Sequence, residues 1–183
     1  KGIYRNPSYS HNGEMIVYHK DRGNSDQGQT FTKEPGIYLM KADGSDAKRI
    51  YKGGDFAMFN HDDTRIIFQT GGYYMGGLSK GLKSIDLSGN DEKTLVNSKY
   101  ANRLLPSPDG KWIVFSNLHK VYLAPLPHTG QTIDLDPNTK AVPVTQIAKD
   151  AGINLHWSAD SKKVHWTLGD EYFTNEVSQR FTF

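Results

Sequence analysis

Ser107-Pro108-Asp109-Gly110-Lys111-Trp112-Ile113-Val114-Phe115 is the stretch that decides how this chain folds. Proline pre-sets a turn, and Asp-Gly closes it because glycine accepts positive φ without a steric cost. The β-branched and aromatic run that follows suits a buried strand. The same unit occurs three more times: as Tyr9-Ser10-His11-Asn12-Gly13-Glu14-Met15-Ile16-Val17-Tyr18, as Phe59-Asn60-His61-Asp62-Asp63-Thr64-Arg65-Ile66-Ile67-Phe68, and as Trp157-Ser158-Ala159-Asp160-Ser161-Lys162-Lys163-Val164-His165-Trp166. The turn positions Gly13, Asp63, Gly110 and Ser161 are 50, 47 and 51 residues apart.

A second unit sits between these copies. Ile37–Gly44 matches Leu82–Gly89 at an offset of 45, and Val121–Leu126 is a degenerate third copy. Asp43-Gly44 and Ser88-Gly89 then read as hairpin turns into Lys48–Tyr51 and Lys93–Val96. Each repeat therefore holds about four short antiparallel strands, which is the make-up of one β-propeller blade. Helical periodicity is confined to a weak trace over Val144–Ala151. The fold class expected is all-β: a single partial propeller domain over residues 1–183, with blades near 4–53, 54–100, 101–150 and an incomplete one over 151–183. Closed propellers use roughly 4–8 blades, so about three and a half blades read first as a fragment of a larger ring, with a small ring completed by the last strands, Glu171–Phe183, as the alternative.

Composition removes several classes. The 183 residues carry 22 Lys+Arg against 20 Asp+Glu, a net charge of +2 with no basic stripe, so a nucleic-acid partner is not expected. No run approaches the ~18 apolar residues of a spanning helix. With no Cys, disulfides, thiolate metal sites and Cys nucleophiles are all excluded. The sequence opens on Lys1 without an apolar leader and reads as processed or cut from a longer chain.

The Ser-Pro-Asp-Gly-Lys-x-Ile-x-Phe pattern at Ser107–Phe115 resembles the repeat of TolB-like propellers, and of propellers attached to prolyl oligopeptidases. The likeness covers most of residues 4–173; the first two turns, Ser10-His11-Asn12-Gly13 and Asn60-His61-Asp62-Asp63, depart from Pro-Asp-Gly. A narrower resemblance, to the final blades of bacterial propeller–amidohydrolase fusions, lies in Val121–Pro127, Gly152–Asp160 and Val164–Phe173. It implies a non-catalytic accessory or gating module beside a metal-dependent hydrolase barrel. Such a barrel carries a His-x-His metal motif; none occurs in this sequence, so no catalytic residue is carried over. A metal such as Zn is expected only if that barrel follows. The alternatives are a TolB-like protein–protein interaction module and the propeller of a serine peptidase. The resemblance alone implies a periplasmic or cell-envelope location.

Local chemistry yields few candidates. Gly77-Leu78-Ser79-Lys80-Gly81 matches the Gly-x-Ser-x-Gly nucleophile elbow, which works only on a strand-to-helix turn; here a strand over Leu82–Leu87 follows. Seven His are present (His11, His19, His61, His119, His128, His156 and His165), without the three or four converging ligands a Zn site wants. His156 and His165 fall on successive strands beside Trp157 and Trp166 and read as strand histidines, while His11 and His61 share a repeat position and so a structural role. Asp134-Leu135-Asp136-Pro137-Asn138 echoes half a Ca²⁺ loop but has Thr139 and Thr145 where Gly and Glu belong. No catalytic, cofactor or metal residue is assigned. The loop tip Tyr73, Tyr74 and Met75 is the candidate recognition patch. Finally, the alternating segment Val177–Phe183 and the stretch Ile3-Tyr4 read as open strand edges, through which the chain is expected to self-associate.

Overall fold

The computed structural model describes residues 2–21, 33–71, 79–128 and 130–181. Among these described residues, sixteen strands form four sheets, each one propeller blade. The first sheet holds β1 (Tyr4–Tyr9), β2 (Met15–Lys20), β3 (Gly36–Lys41) and β4 (Lys48–Tyr51), antiparallel in chain order. The second holds β5 (Asp55–Phe59), β6 (Arg65–Thr70), β7 (Lys80–Asp86) and β8 (Lys93–Ser98). The third runs β9 (Ala101–Pro106), β10 (Trp112–Asn117), β11 (Lys120–Pro125) and, after an excursion, β13 (Thr145–Ala151). Within that excursion β12 (Ile133–Asp134) pairs in parallel with Val96 and Asn97 of β8. The fourth sheet has three strands, β14 (Ile153–Trp157), β15 (Lys163–Leu168) and β16 (Glu171–Glu176).

One weak trace is resolved and one expectation is corrected. The weak helical trace over Val144–Ala151 is strand β13, paired with β11 through Tyr122↔Gln146 and Leu123↔Thr145. Ladder bonding to a neighbouring strand overrides so short a periodicity. The supposed C-terminal strand opens instead as a 3₁₀ turn, Val177–Gln179. Its start is fixed by Val177 N–H donating to the Lys162 carbonyl at 3.0 Å, and Arg180 Nε donates to Asn175 Oδ1 at 3.1 Å.

The repeated turn owes its sequence to hydrogen bonding. In the third blade Ser107 N–H donates to the Trp112 carbonyl, and Trp112 N–H donates back to Ser107 Oγ at 3.0 Å. Ser107 Oγ–H in turn donates to Asp109 Oδ1 at 2.6 Å, and that oxygen also accepts Lys111 N–H. Gly110 stands at φ +72, the left-handed corner that closes the loop. Ser10–Asn12–Gly13 and Ser158–Asp160–Ser161 repeat the arrangement, and Asn60 Oδ1 replaces the serine oxygen in the second blade by accepting Arg65 N–H. So Ser-x-Asp-Gly is a self-satisfying turn, and its recurrence fixes where each blade begins.

The chain packs as two compact units, one from the described residues of 2–70 and 82–94, the other chiefly from 95–181. In the first, Val17, Ile37, Leu39, Ile50, Ala57, Phe59, Ile66, Phe68 and Ile85 form one buried cluster. In the second, Leu104, Ile113, Val114, Phe115, Val121, Leu123, Val164 and Trp166 are buried. Gly152 lets the chain enter β14, since a Cβ there would stand 2.4 Å from Val121 Cγ2 and 2.8 Å from Trp166 Cδ1. Each fully buried Leu, Ile or Phe contributes roughly 1.5–3 kcal/mol.

Candidate functional site

Tyr73, Tyr74 and Met75 lie outside the described residues. Ser79 immediately precedes strand β7, so the residue named by the elbow motif leads into a strand and not onto a helix. The serines of the repeated turns also sit beside carboxylates, but their hydroxyls are spent on Asp109 and Asp160 and on the backbone. Asp136 Oδ1 caps its own loop by accepting Asn138 N–H, and Asp134 lies near Asn97 Nδ2 at 3.4 Å. The two carboxylates of the half Ca²⁺ loop thus serve different strands and turns.

The histidines fall into distinct settings. His11 Nδ1 lies 2.7 Å from Asp63 Oδ1, whereas His61 Nε2 lies 3.9 Å from its neighbour Asp62. Asp63 occupies the left-handed corner of the second turn (φ +57) and reaches the first turn, accepting the N–H groups of His11 and Asn12 at 3.0 and 3.2 Å. Burial pushes its carboxyl up, but these donors and the His11 ring outweigh that and hold it below the usual carboxylate range. Ser161, at the matching corner of the fourth turn, accepts Asp109 N–H at 3.0 Å. His19 is buried on β2, with Nδ1 3.5 Å from Asp55 Oδ1. Burial raises the Asp55 carboxyl; His19, the Phe56 N–H and the Arg5 charge more than reverse that.

His156, His165 and Tyr172 form a ring cluster on the more open face of the fourth sheet. His156 faces His165 across the β14–β15 pairing, their rings stacked at 5.0 Å and 22°. Tyr172, from β16, lies 5.4 Å from His165 and 5.8 Å from His156. His156 Nδ1 lies 2.9 Å from the Asn154 carbonyl, which can only accept, so Nδ1 carries the proton and Nε2 receives the Tyr172 hydroxyl at 3.0 Å. His165 Nδ1 bonds Thr174 Oγ1 at 2.8 Å. Partial burial, with the neighbouring His156 and Lys163, holds the His165 imidazole below its usual range. The β14 bulge between Ile153 and His156, with Asn154 at φ +54, is what aims His156 at the tyrosine. Reading the sequence strand by strand paired the two histidines but missed Tyr172, whose place depends on the β15–β16 register. Among the described residues, no three or more of His, Cys, Asp and Glu converge as for a metal ion.

A second ring row lies on the first sheet: Tyr4 meets Tyr18 edge-on at 5.8 Å, and Tyr18 stacks on Tyr38 at 5.5 Å with Lys20 Nζ over the Tyr38 ring. Burial, then Tyr4 and Tyr38, raise the Tyr18 phenol.

No protein-family model matches this chain, and no curated protein matches it. Solved structures do. It is similar to TolB from Acinetobacter baumannii, at 18% identity and a TM-score of 0.66, over 98% of this chain and 42% of that one. It is also similar to oligogalacturonate lyase in complex with manganese (12% identity, TM-score 0.57, 90% of this chain and 44% of that one). The β-propeller domain of the Trilobed protease from Pyrococcus furiosus matches at 11% identity and a TM-score of 0.52, over 94% of this chain and 57% of that one. The chain thus spans less than two thirds of each of these proteins. What is shared at such identities is the fold, a TolB-like β-propeller.

Proposed function

We propose that this chain is a non-catalytic propeller module of a larger protein, which presents ring-lined sheet faces to a neighbouring domain. The carrying observation is the Tyr4–Tyr18–Tyr38 row: tyrosine supplies large, rigid, amphipathic contact area and is enriched where proteins bind proteins. The neighbour proposed is a metal-dependent amidohydrolase barrel, to which the propeller would control access. Support comes from the resemblance of Val121–Pro127 and Gly152–Asp160 to propellers of such fusions. The test is in the full-length protein, where amide hydrolysis should be abolished by chelation, persist in Ser79→Ala and fall in Tyr18→Ala/Tyr38→Ala. Loss of hydrolysis in Ser79→Ala would favour a serine peptidase propeller instead. A full-length protein with no hydrolysis that forms a stoichiometric complex with an envelope protein would favour a second reading, a periplasmic interaction protein of the TolB type. That second reading draws on the similarity to TolB over nearly the whole chain.

A further inference from the structure

We propose that His156, His165 and Tyr172 form a binding site for a divalent transition-metal ion on the solvent face of the fourth sheet. Three donors from three adjacent strands share one face here, and paired strands fix their spacing without help from a loop. Each histidine is braced as a metal ligand requires. A ligating imidazole usually hands its second N–H to a carbonyl or another acceptor, which fixes the tautomer and leaves the first nitrogen's lone pair for the ion. His156 does this through Nδ1–H to the Asn154 carbonyl; its Nε2 lone pair accepts the Tyr172 hydroxyl, whose proton passes to solvent when an ion takes its place between the two. His165 is braced at Nδ1 by the Thr174 hydroxyl, which can accept there and so leave Nε2 free to bind.

The stacking decides what kind of ligand fits. Because His156 and His165 lie nearly parallel and so do His165 and Tyr172, much of each ring face meets a neighbouring ring. The His156 Nε2 and Tyr172 hydroxyl edges meet at 3.0 Å, so a group that binds lone pairs finds more purchase here than one that stacks on ring faces. Holding both Nε2 atoms at about 2.0–2.1 Å from one ion would require the two stacked rings to turn, and His156 and Tyr172 are exposed. Lys163, whose charge acts on His165, is paired with Glu176 at 3.7 Å. Two imidazoles and a phenol oxygen suit Cu²⁺ best, then Ni²⁺ and Zn²⁺, and do not suit Ca²⁺ or Mg²⁺.

Titration of the protein with Cu²⁺, followed by electron paramagnetic resonance and by fluorescence of the nearby Trp157, tests this. One equivalent should bind with hyperfine coupling to two nitrogens, and more tightly than Zn²⁺. His156→Gln and His165→Gln should each weaken binding at least about tenfold. The double variant should retain only background binding by the other five histidines. Tyr172→Phe should weaken binding measurably while leaving the two-nitrogen spectrum. A double variant that binds Cu²⁺ as tightly as the parent, or a parent spectrum with fewer than two nitrogens, overturns the site. Unchanged affinity in Tyr172→Phe removes the phenol from it. Circular dichroism of the metal-free variants shows that the fold is kept.

Discussion

Asp63 and Ser161 stand where the first and third turns have Gly13 and Gly110, and all four adopt the left-handed corner. A non-glycine residue there costs about 1–2 kcal/mol. In both cases the side chain reaches from the corner to the preceding blade's turn, Asp63 to His11 and Asn12, Ser161 to Asp109. Hydrogen bonds to a charged acceptor contribute about 1.5–3 kcal/mol, enough to offset the corner. The His11 ion pair adds little, since that ring is half exposed. Asp63→Asn, which tolerates the same corner, should therefore lower stability by about 1 kcal/mol at pH 6. The folded carboxyl is depressed, so its contribution is complete above the unfolded value near 4 and fades as pH falls through the folded value. Urea midpoints of parent and variant should thus converge between pH 6 and pH 3; a gap independent of pH would overturn the electrostatic account. The Ser-x-Asp-Gly turn was legible because all its bonds are local. The ties were not, because each acceptor meets donors about 50 residues away.

At the scale of elements, β15 differs from its counterparts in a way the sequence displays. Ile66-Ile67-Phe68 of β6 and Ile113-Val114-Phe115 of β10 are unbroken apolar runs, and both strands are buried on both faces. Lys163-Val164-His165-Trp166-Thr167 alternates, and its burial alternates with it. Period two announces one open face, which is why the His156–His165–Tyr172 edge is available at all. The same rule misled at the C-terminus: Val177–Phe183 alternates too, yet Val177–Gln179 is a 3₁₀ turn. Tertiary partners decide it, with Phe181 set against Trp112 at 5.1 Å and Arg180 Nε on the largely buried Asn175. Phe181→Ala should cost about 0.5–1.5 kcal/mol beyond lost burial area. Arg180→Ala should cost about 1–3 kcal/mol by orphaning the Asn175 oxygen. Thermal unfolding checks both, and a segment that contributed nothing would leave both midpoints unchanged. Phe115→Ala, from a fully buried position, gives the comparison, at about 3–5 kcal/mol.

For the whole molecule, the structure relocates the edge through which self-association is expected. The 3₁₀ turn removes Val177–Gln179 from consideration, whereas Ile3-Tyr4 leads into β1, which ends the first sheet. Strand β16 ends its sheet as β1 does, and among the described residues nothing pairs with its outer side. The two-residue turn Gly169-Asp170 makes Leu168↔Glu171 the first pair of the hairpin. Alternation from that pair points the N–H groups of Tyr172, Thr174 and Glu176 outward. Unpaired donors and acceptors in a row invite a second copy, and the charges of Glu171 and Glu176 weaken that invitation without removing it. We therefore expect reversible dimers in sedimentation at protein concentrations of tens of micromolar or more, on the order of a weak interface. Thr174→Pro tests the edge itself, because proline is tolerated where the lost N–H faces outward. The variant should keep the fold and sediment as a monomer. A parent that is strictly monomeric at high concentration, or a variant that dimerises as well as the parent, would show that β16 is not the contact.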